Sequence, residues 1–478
     1  RRFQLCFPDT VMSCVDILIA GAGLSGLTAA FSLVKELAAG PAPPAGVPPL
    51  RIVVLERSNR LGGRAWDGGG TGIDLGGAWL WPGSSTMFQL CRALQLKTVD
   101  QAGGFGEKRV HGGVSKLIGA LETYLSSNFA PGKNLHVEIE IQLEKAVSAV
   151  SQKSADEPDG MAHALVVSVK DESADAAGVS TELHSRYLVL TLPPKKIATE
   201  ISFPDETVVG SSVKKNEVTK YLTPSLLARM RDQPIWMAPM GKLALFYEEQ
   251  FWDPIALNGG MPFRGAMGAA QVYDGGKTTD GKNLHALVFF TICDIRQASG
   301  EDAESHAWWQ GGGDSKGGQT QVESTAANEQ TEKLVRIVLQ QVHRFARSMN
   351  ALKGASGAGG TVFSRMFCVH GSSVAENPFE EKLHSYAMKC WKTDNAINTA
   401  AAAERFPQHP NPISGLNDDY VVTVVEGEGK RAKILNRRRV FLAGTEASRD
   451  FTGMLEGAAR SGVQAARKII EAMGAERE

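Results

Sequence analysis

The stretch Val15–Gly26, VDILIAGAGLSG, limits what this chain can fold into more than any other. Val15–Ala20 is a short apolar run rich in Val and Ile, the pattern of a buried strand. It ends in Gly21-Ala22-Gly23-Leu24-Ser25-Gly26, and the pattern of Leu27–Leu37 predicts a helix. G-x-G-x-x-G between strand and helix is the setting of a dinucleotide-binding turn. Gly21 permits the tight turn, Gly23 lets backbone approach a pyrophosphate, and Gly26 lets helix and strand pack closely. The helix N-terminus offers N–H groups and the positive end of its dipole to phosphate. A bare motif also fits a glycine-rich turn in an ordinary α/β domain, so the next strand arbitrates. Arg51–Leu55 is apolar and β-branched, and Glu56 closes it as an acceptor for ribose hydroxyls. Glu56 stands later than the usual ~20 residues. The excess is Ala38–Pro49, AAGPAPPAGVPP, which cannot be helical and reads as a surface loop.

A chain of 478 residues can bury a large core in two or three domains. With 22% charged residues and a net charge of −1, no bulk field favours nucleic acid or an acidic membrane. No apolar stretch reaches the ~18 residues of a membrane span. Cys6, Cys14, Cys91, Cys293, Cys368 and Cys390 form no C-x-x-C pair, which argues against zinc, any other metal site or a disulfide framework, and leans toward a reducing intracellular compartment. The first residue is Arg1, and no targeting signal is read from it. The sequence leaves the oligomeric state open.

Ser58–Gly77, SNRLGGRAWDGGGTGIDLGG, is the second informative block. Its glycines make a loop that lies against something flat or charged, and Arg60 and Arg64 carry forked donors suited to phosphate oxygens. Ala78-Trp79-Leu80-Trp81 follows. Two tryptophans this close suit the wall of a flat cofactor or substrate, and equally suit core anchors.

GAGLSGL, ERSNRLGGR and DLGGAW together resemble the flavin-containing amine oxidase family, which includes monoamine and polyamine oxidases. The resemblance implies that this region wraps FAD, with Gly21, Gly23, Leu24, Ser25, Gly26, Glu56, Arg57, Gly63, Arg64, Gly77, Ala78 and Trp79 as cofactor-binding residues. With Trp79, the neighbouring Trp81 is the candidate wall of the substrate pocket. The family carries a long helical excursion after GAW; here only a shortened segment, residues 92–108, stands for it. Ser84–Val99 reads as a packing helix, and Val114–Leu125 as an amphipathic helix that re-enters the FAD domain behind Gly112-Gly113.

Further on, Leu135–Val150, Ala162–Lys170 and Tyr187–Leu192 are strand patterns, and the resemblance sets Val147 beside the adenine. Ile201–Gly241 opens a second domain. Lys242 is the only charge in the strand pattern Lys242–Tyr247, and a buried lysine is rare unless paired or functional. A strand-end lysine reaching solvent is the plain alternative. Phe251-Trp252 follows, and this spacing resembles the family's strand whose lysine holds a water against flavin N5; Lys242 is the catalytic candidate. Residues 298–330 are polar, of low complexity, and read as a disordered insert. Glu332–Met349 is an amphipathic helix.

Trp391 and Asp394 resemble the W-x-x-D segment that passes the flavin. By spacing, the cysteine that monoamine oxidases bond to the flavin is Ala400 here, which implies non-covalent FAD, and one cage tyrosine is Ala401. Ala443-Gly444-Thr445-Glu446 and Thr452–Ala458 resemble the family's GTE…GxxEGA signature. Gly444, Glu446 and Gly453 thereby join the cofactor set, the amides of Met454 and Leu455 face the flavin, and Met454 replaces the second cage tyrosine in the substrate pocket.

The expected architecture is α/β: a discontinuous Rossmann-like FAD-binding domain with an α+β substrate domain on a mixed sheet. Its expected bounds are 1–91, 109–203 and 386–478 for the FAD domain, 92–108 for the shortened excursion and 204–385 for the substrate domain. The expected function is oxidation of a small-molecule amine to an imine by hydride transfer to flavin N5, with O2 reduced to hydrogen peroxide. Two other readings stay open: an FAD-dependent desaturase or porphyrinogen-type oxidase on a large apolar substrate, and a flavin-binding scaffold without turnover.

Overall fold

Val15–Ala20 does form the central strand, Cys14–Ala20, of a large sheet. The computed structural model describes residues 14–40, 43–152, 165–173, 178–204, 206–209, 212–215, 222–237, 240–252, 269–292, 331–344, 377–391, 394, 397, 420–426 and 433–475. The chain divides into two contact units. The first comprises 1–63, 121–233 and 410–478, the second 64–120 and 234–409. Of the bounds expected from sequence, 64–91, 109–120 and the segment carrying Trp391 therefore fall in the second unit.

In the first unit, Cys14–Ala20 pairs in parallel with Leu50–Leu55 on one side and Ser180–Leu190 on the other. Val137–Gln142 and Lys433–Leu442 extend the parallel sheet outward. Antiparallel strands Lys145–Gln152 and Leu165–Asp171 lead into Ser180–Leu190, and Tyr420–Glu426 closes the far edge. The sequence pattern Leu135–Val150 is thus two strands, broken at Glu144, whose φ of +57° turns the chain. Chain order reverses beside the first strand, so its carboxyl end is the place where such sheets bind ligands. Helix Leu24–Ala38 connects the first two strands and packs on the long C-terminal helix Leu455–Ala475.

In the second unit, a four-stranded antiparallel sheet runs in the order Ala269–Lys277, His285–Ile292, Met240–Tyr247, Leu383–Cys390. Alternation sorts its side chains. Leu243, Leu245, Tyr247, Leu287 and Phe289 pack on helix 331–344 through Leu334, Val338 and Val342. Ala244, Phe246, Ala286, Val288 and Phe290 face the other way and pack on Ile73 and Leu75. A small sheet joins Trp79–Leu80, Lys108–Val110 and Thr98–Asp100. The helix expected over Ser84–Val99 stops at Ala93: Gln95 takes a φ of +56°, and Thr98-Val99 then enter this sheet. Residues 298–330 lie outside the described residues.

The cysteine expectation needs a correction, because Cys390 is disulfide-bonded, while Cys91 is a buried free thiol. Among the described residues no helix is long and apolar enough to cross a membrane.

Close backbone approach dominates the helix packing of the first unit. A Cβ at Gly462 would stand 2.3 Å from Ser25 O on the opposing helix. Gly462→Ala is expected to destabilise the protein by about 1–3 kcal/mol, measured as a lower urea midpoint. Gly474→Ala, in the same helix with nothing near its Cβ position, should be neutral or up to about 1 kcal/mol stabilising.

Candidate functional site

The glycine turn is built by contacts that the motif alone does not name. Gly21 takes a φ of +101°, and a Cβ there would strike Thr191 Oγ1 at 2.5 Å. That hydroxyl lies 2.8 Å from Ala20 O and 2.9 Å from Gly21 O, and pins the turn to the neighbouring strand. A Cβ at Gly26 would stand 1.9 Å from Gly21 O, whereas one at Gly23 would meet nothing within 4 Å. Gly23 caps helix Leu24–Ala38 without a side chain, so no side chain occupies the N–H groups of the helix start. The second glycine loop docks here: Gly62 N donates to Ala22 O at 2.9 Å. Glu56 is buried beneath both loops, and its carboxylate accepts from Ala22 N at 2.8 Å and from Ser58 N and Oγ at 2.9 and 2.8 Å.

The first and last of the described helices meet at this cradle. Ser461, in the last helix, lies 3.0 Å from Ser25 Oγ, and its Oγ accepts from Gly444 N at 2.9 Å. Gly444, at φ +141°, leads into the turn Thr445–Ala447, where Glu446 is buried. Gly453 also has positive φ. Leu455 begins the last helix, and Met454 N donates to Phe451 O at 3.0 Å. Of the two amides expected to face the flavin, that of Met454 is thus taken within its own turn. Leu24 is buried. Arg57 turns its guanidinium to Glu200 at 2.8 Å and Glu172 at 3.5 Å. Val147 packs in the core of this unit, and Gly63 O accepts from Arg60 Nη2 at 3.0 Å. Open space over Gly23, an uncapped helix start and a buried acid at the end of the second strand fit an adenine dinucleotide.

The second unit holds Lys242. Its strand is the third of four, and Lys242 lies opposite Phe290 on one neighbour and Lys389 on the other. The side chain is 1% exposed. Nζ donates to Gly76 O at 2.7 Å and to Tyr273 Oη at 3.0 Å, with Asp74 O at 3.5 Å. It also sits 4.7, 5.2 and 5.3 Å from the ring centres of Phe290, Tyr273 and Trp79, an arrangement that attracts a cation. Burial still dominates: it pulls the amine down to about 7, helped by Arg109 and opposed by Asp74. Burial likewise pushes the Asp74 carboxyl up to about 7, although Val114 N donates to it at 2.7 Å.

Trp79 is held by its indole, which donates to Gln101 Oε1 at 3.0 Å; Gln101 Nε2 in turn reaches Asp274 O at 3.1 Å. Trp81 meets the Trp79 ring edge-on at 5.9 Å. Gly77 N donates to Arg64 O at 3.1 Å, and Ala78 is buried beside them. Trp391 is fully buried, and its indole donates to Leu75 O at 3.0 Å. Asp394 pairs with Lys389 at 2.8 Å, and Lys389 lies over the rings of Trp66 and Trp391. Ala400 and Ala401 lie outside the described residues.

The structure therefore gathers Gly21, Gly23, Ser25, Gly26, Glu56, Gly444 and Glu446 in one unit, and Gly77, Trp79, Trp81, Lys242 and Trp391 in the other. Sequence reasoning missed Thr191, Ser461, Tyr273, Phe290 and Gln101. Tyr273 and Phe290 sit in plain strand patterns, and nothing in either marks them as partners of a lysine.

Two segments of the chain, 24–132 and 106–470, match the family of flavin containing amine oxidoreductases. The chain belongs to this family, and is an FAD-dependent oxidoreductase. Solved structures share its fold. A putrescine oxidase triple mutant from a redesign of cofactor binding aligns at 14% identity with a TM-score of 0.55, and wild-type putrescine oxidase bound to putrescine at 15% and 0.53. Cyclohexylamine oxidase from Brevibacterium oxydans aligns at 14% and 0.54. Each alignment covers 96% of this chain and 99% of the other.

Lys242 gives the folded protein a pH signature. Its amine titrates near 7 when folded and near 10.5 when unfolded. The stability tied to it is present above the unfolded value and is lost as pH falls through the folded one. Asp74 has the opposite sign, since its raised value makes its share present below 3.8 and lost as pH rises through about 7. Lys242→Met is expected to have its largest gain in thermal midpoint over the unaltered protein near pH 7. That gain should narrow steadily by pH 10, read from unfolding curves across the range.

Proposed function

We propose that this chain oxidises the C–N bond of an amine to an imine, with O2 as electron acceptor and hydrogen peroxide as product. The imine is then hydrolysed by water to a carbonyl compound. FAD, when bound, supplies the two-electron acceptor, taking the hydride from the carbon beside the amine nitrogen at N5. Gly21, Gly23 and Gly26 with the following helix start would hold its pyrophosphate, and Glu56 the ribose. Ala400, standing where a tethering cysteine would be by spacing, supports non-covalent retention.

The observation that carries this reading is Lys242, an amine enclosed by rings and carbonyls in a family of amine oxidoreductases. Gly76 O and Tyr273 Oη fix where Nζ points, so it can orient one water and keep a proton or lone pair at a set position. Trp79, Trp81 and Phe290 make the surroundings apolar, and a desolvated site favours the neutral form of an amine substrate, the form that can give up hydride. No carboxylate is needed as a general base, and among the nearby acids Asp74 already accepts from Val114 N.

Anaerobic mixing of the purified yellow holoenzyme with a panel of monoamines, diamines and amino acids tests the reading. Bleaching of the flavin by amines, with peroxide formed on admitting air, is expected. Lys242→Met should keep its FAD and reduce about a hundredfold more slowly. Denaturing the holoenzyme should release all of the flavin into solution. A spectrum that persists with every amine, or protein that stays colourless when given FAD, sinks the proposal.

A further inference from the structure

Lys242 needs something to aim it. An ammonium carries three donors and an amine two donors and a lone pair. Gly76 O and Asp74 O can only accept. Tyr273 Oη, 3.0 Å from Nζ and 3.2 Å from Asp74 O, is the one neighbour that can do both. It accepts from the ammonium while donating to Asp74 O, and can turn its proton to the lone pair of the neutral amine. The hydroxyl is buried, and burial holds it well above the usual phenol range, so it stays protonated throughout. The ring is fixed by Trp79 at 4.8 Å and Phe290 at 6.0 Å.

We propose that Tyr273 is the positioning residue of Lys242: its hydroxyl holds Nζ beside Gly76 O and remains a partner in either protonation state. This rests on the reading of Lys242 as the functional lysine. Two charged groups act on Nζ, and two more sit on strands of the same sheet. Asp74 comes from the glycine loop, and Arg109 from strand Lys108–Val110. Asp274 follows Tyr273 on its own strand, and Lys389, neutralised by Asp394, lies across the sheet. Asp74 O is shared by Nζ and Oη, so removing the hydroxyl takes away two contacts, and the comparison with and without Lys242 separates the one to Nζ. Loss of a bond to a charged donor costs the ammonium more than the amine, so the lysine titrates lower without it.

The test uses holoenzyme carrying Tyr273→Phe, Lys242→Met, or both. The rise of the thermal midpoint with pH that Lys242 produces should begin about one pH unit lower in Tyr273→Phe. In the Lys242→Met background, the same change should shift the midpoint equally at every pH. Flavin reduction by a saturating amine should slow about tenfold, with KM changed less than twofold. Site-specific 3-fluorotyrosine at position 273 keeps ring and hydroxyl, and so serves if the phenylalanine variant fails to fold; a better donor and poorer acceptor, it should move the onset in the same direction by less. An onset that stays put in the folded variants, or that moves equally without Lys242, overturns the proposal. The thermal readout needs no substrate. A failure of amine oxidation would therefore show as an unbleached unaltered enzyme, whatever the Tyr273 variants do.

Discussion

Backbone contact at distances no Cβ allows is the constraint on which the first unit depends. Gly26 brings the first helix onto the turn it follows, and Gly462 brings the last helix onto the first at Ser25. A larger side chain at either place would separate surfaces that bury Leu27, Leu33, Ala459, Ala466 and Ile469. The first helix and the C-terminal signature are thereby locked together at Ser25, Ser461 and Gly444, the position from which Glu446 is presented. The cradle is a product of packing first and of hydrogen bonding second.

In the second unit the governing term is desolvation. A charge removed from water is costly, and the protein answers it for Lys242 with two carbonyls, one hydroxyl and three ring faces. It answers it for Lys389, directly opposite, with a carboxylate and two indoles. One lysine is held as half of a buried ion pair and the other is brought close to neutrality, although both sit on one face of one sheet. Such divergence of environment is what separates a titrating group from a structural one.

The first unit was largely legible. Strand, glycine turn, helix and acid follow from period and spacing within one local segment, and the C-terminal signature is local too. Arg57 entered the cofactor set with the ERSNRLGGR resemblance; its ion pairs with Glu172 and Glu200, remote in sequence, were not legible there. The second unit was harder. Lys242 stood out because a charge interrupts an otherwise apolar strand. Tyr273, Phe290 and Gln101 did not, because each is an ordinary strand or loop residue whose meaning comes from which strands become neighbours. The helix read through Val99 failed for a local reason: Gln95 leaves helical space, and Thr98-Val99 find partners on Lys108–Val110.

That small three-stranded sheet is stitched to the lysine sheet at two places, Gln101 to Asp274 O and Arg109 to Gly275 O. Its outer loop is also fastened at the tip: the Glu107 carboxylate accepts from Phe105 N at 2.6 Å, while the Phe105 ring stays in solvent. Trp79 is therefore mounted on a bracket whose tip is tied to the same Gln101 that holds its indole: Gly104 N donates to Gln101 O at 3.0 Å and Gln101 Nε2 to Ala102 O at 3.2 Å. A change of length within residues 102–106 would therefore reach the indole beside Lys242 through that one glutamine.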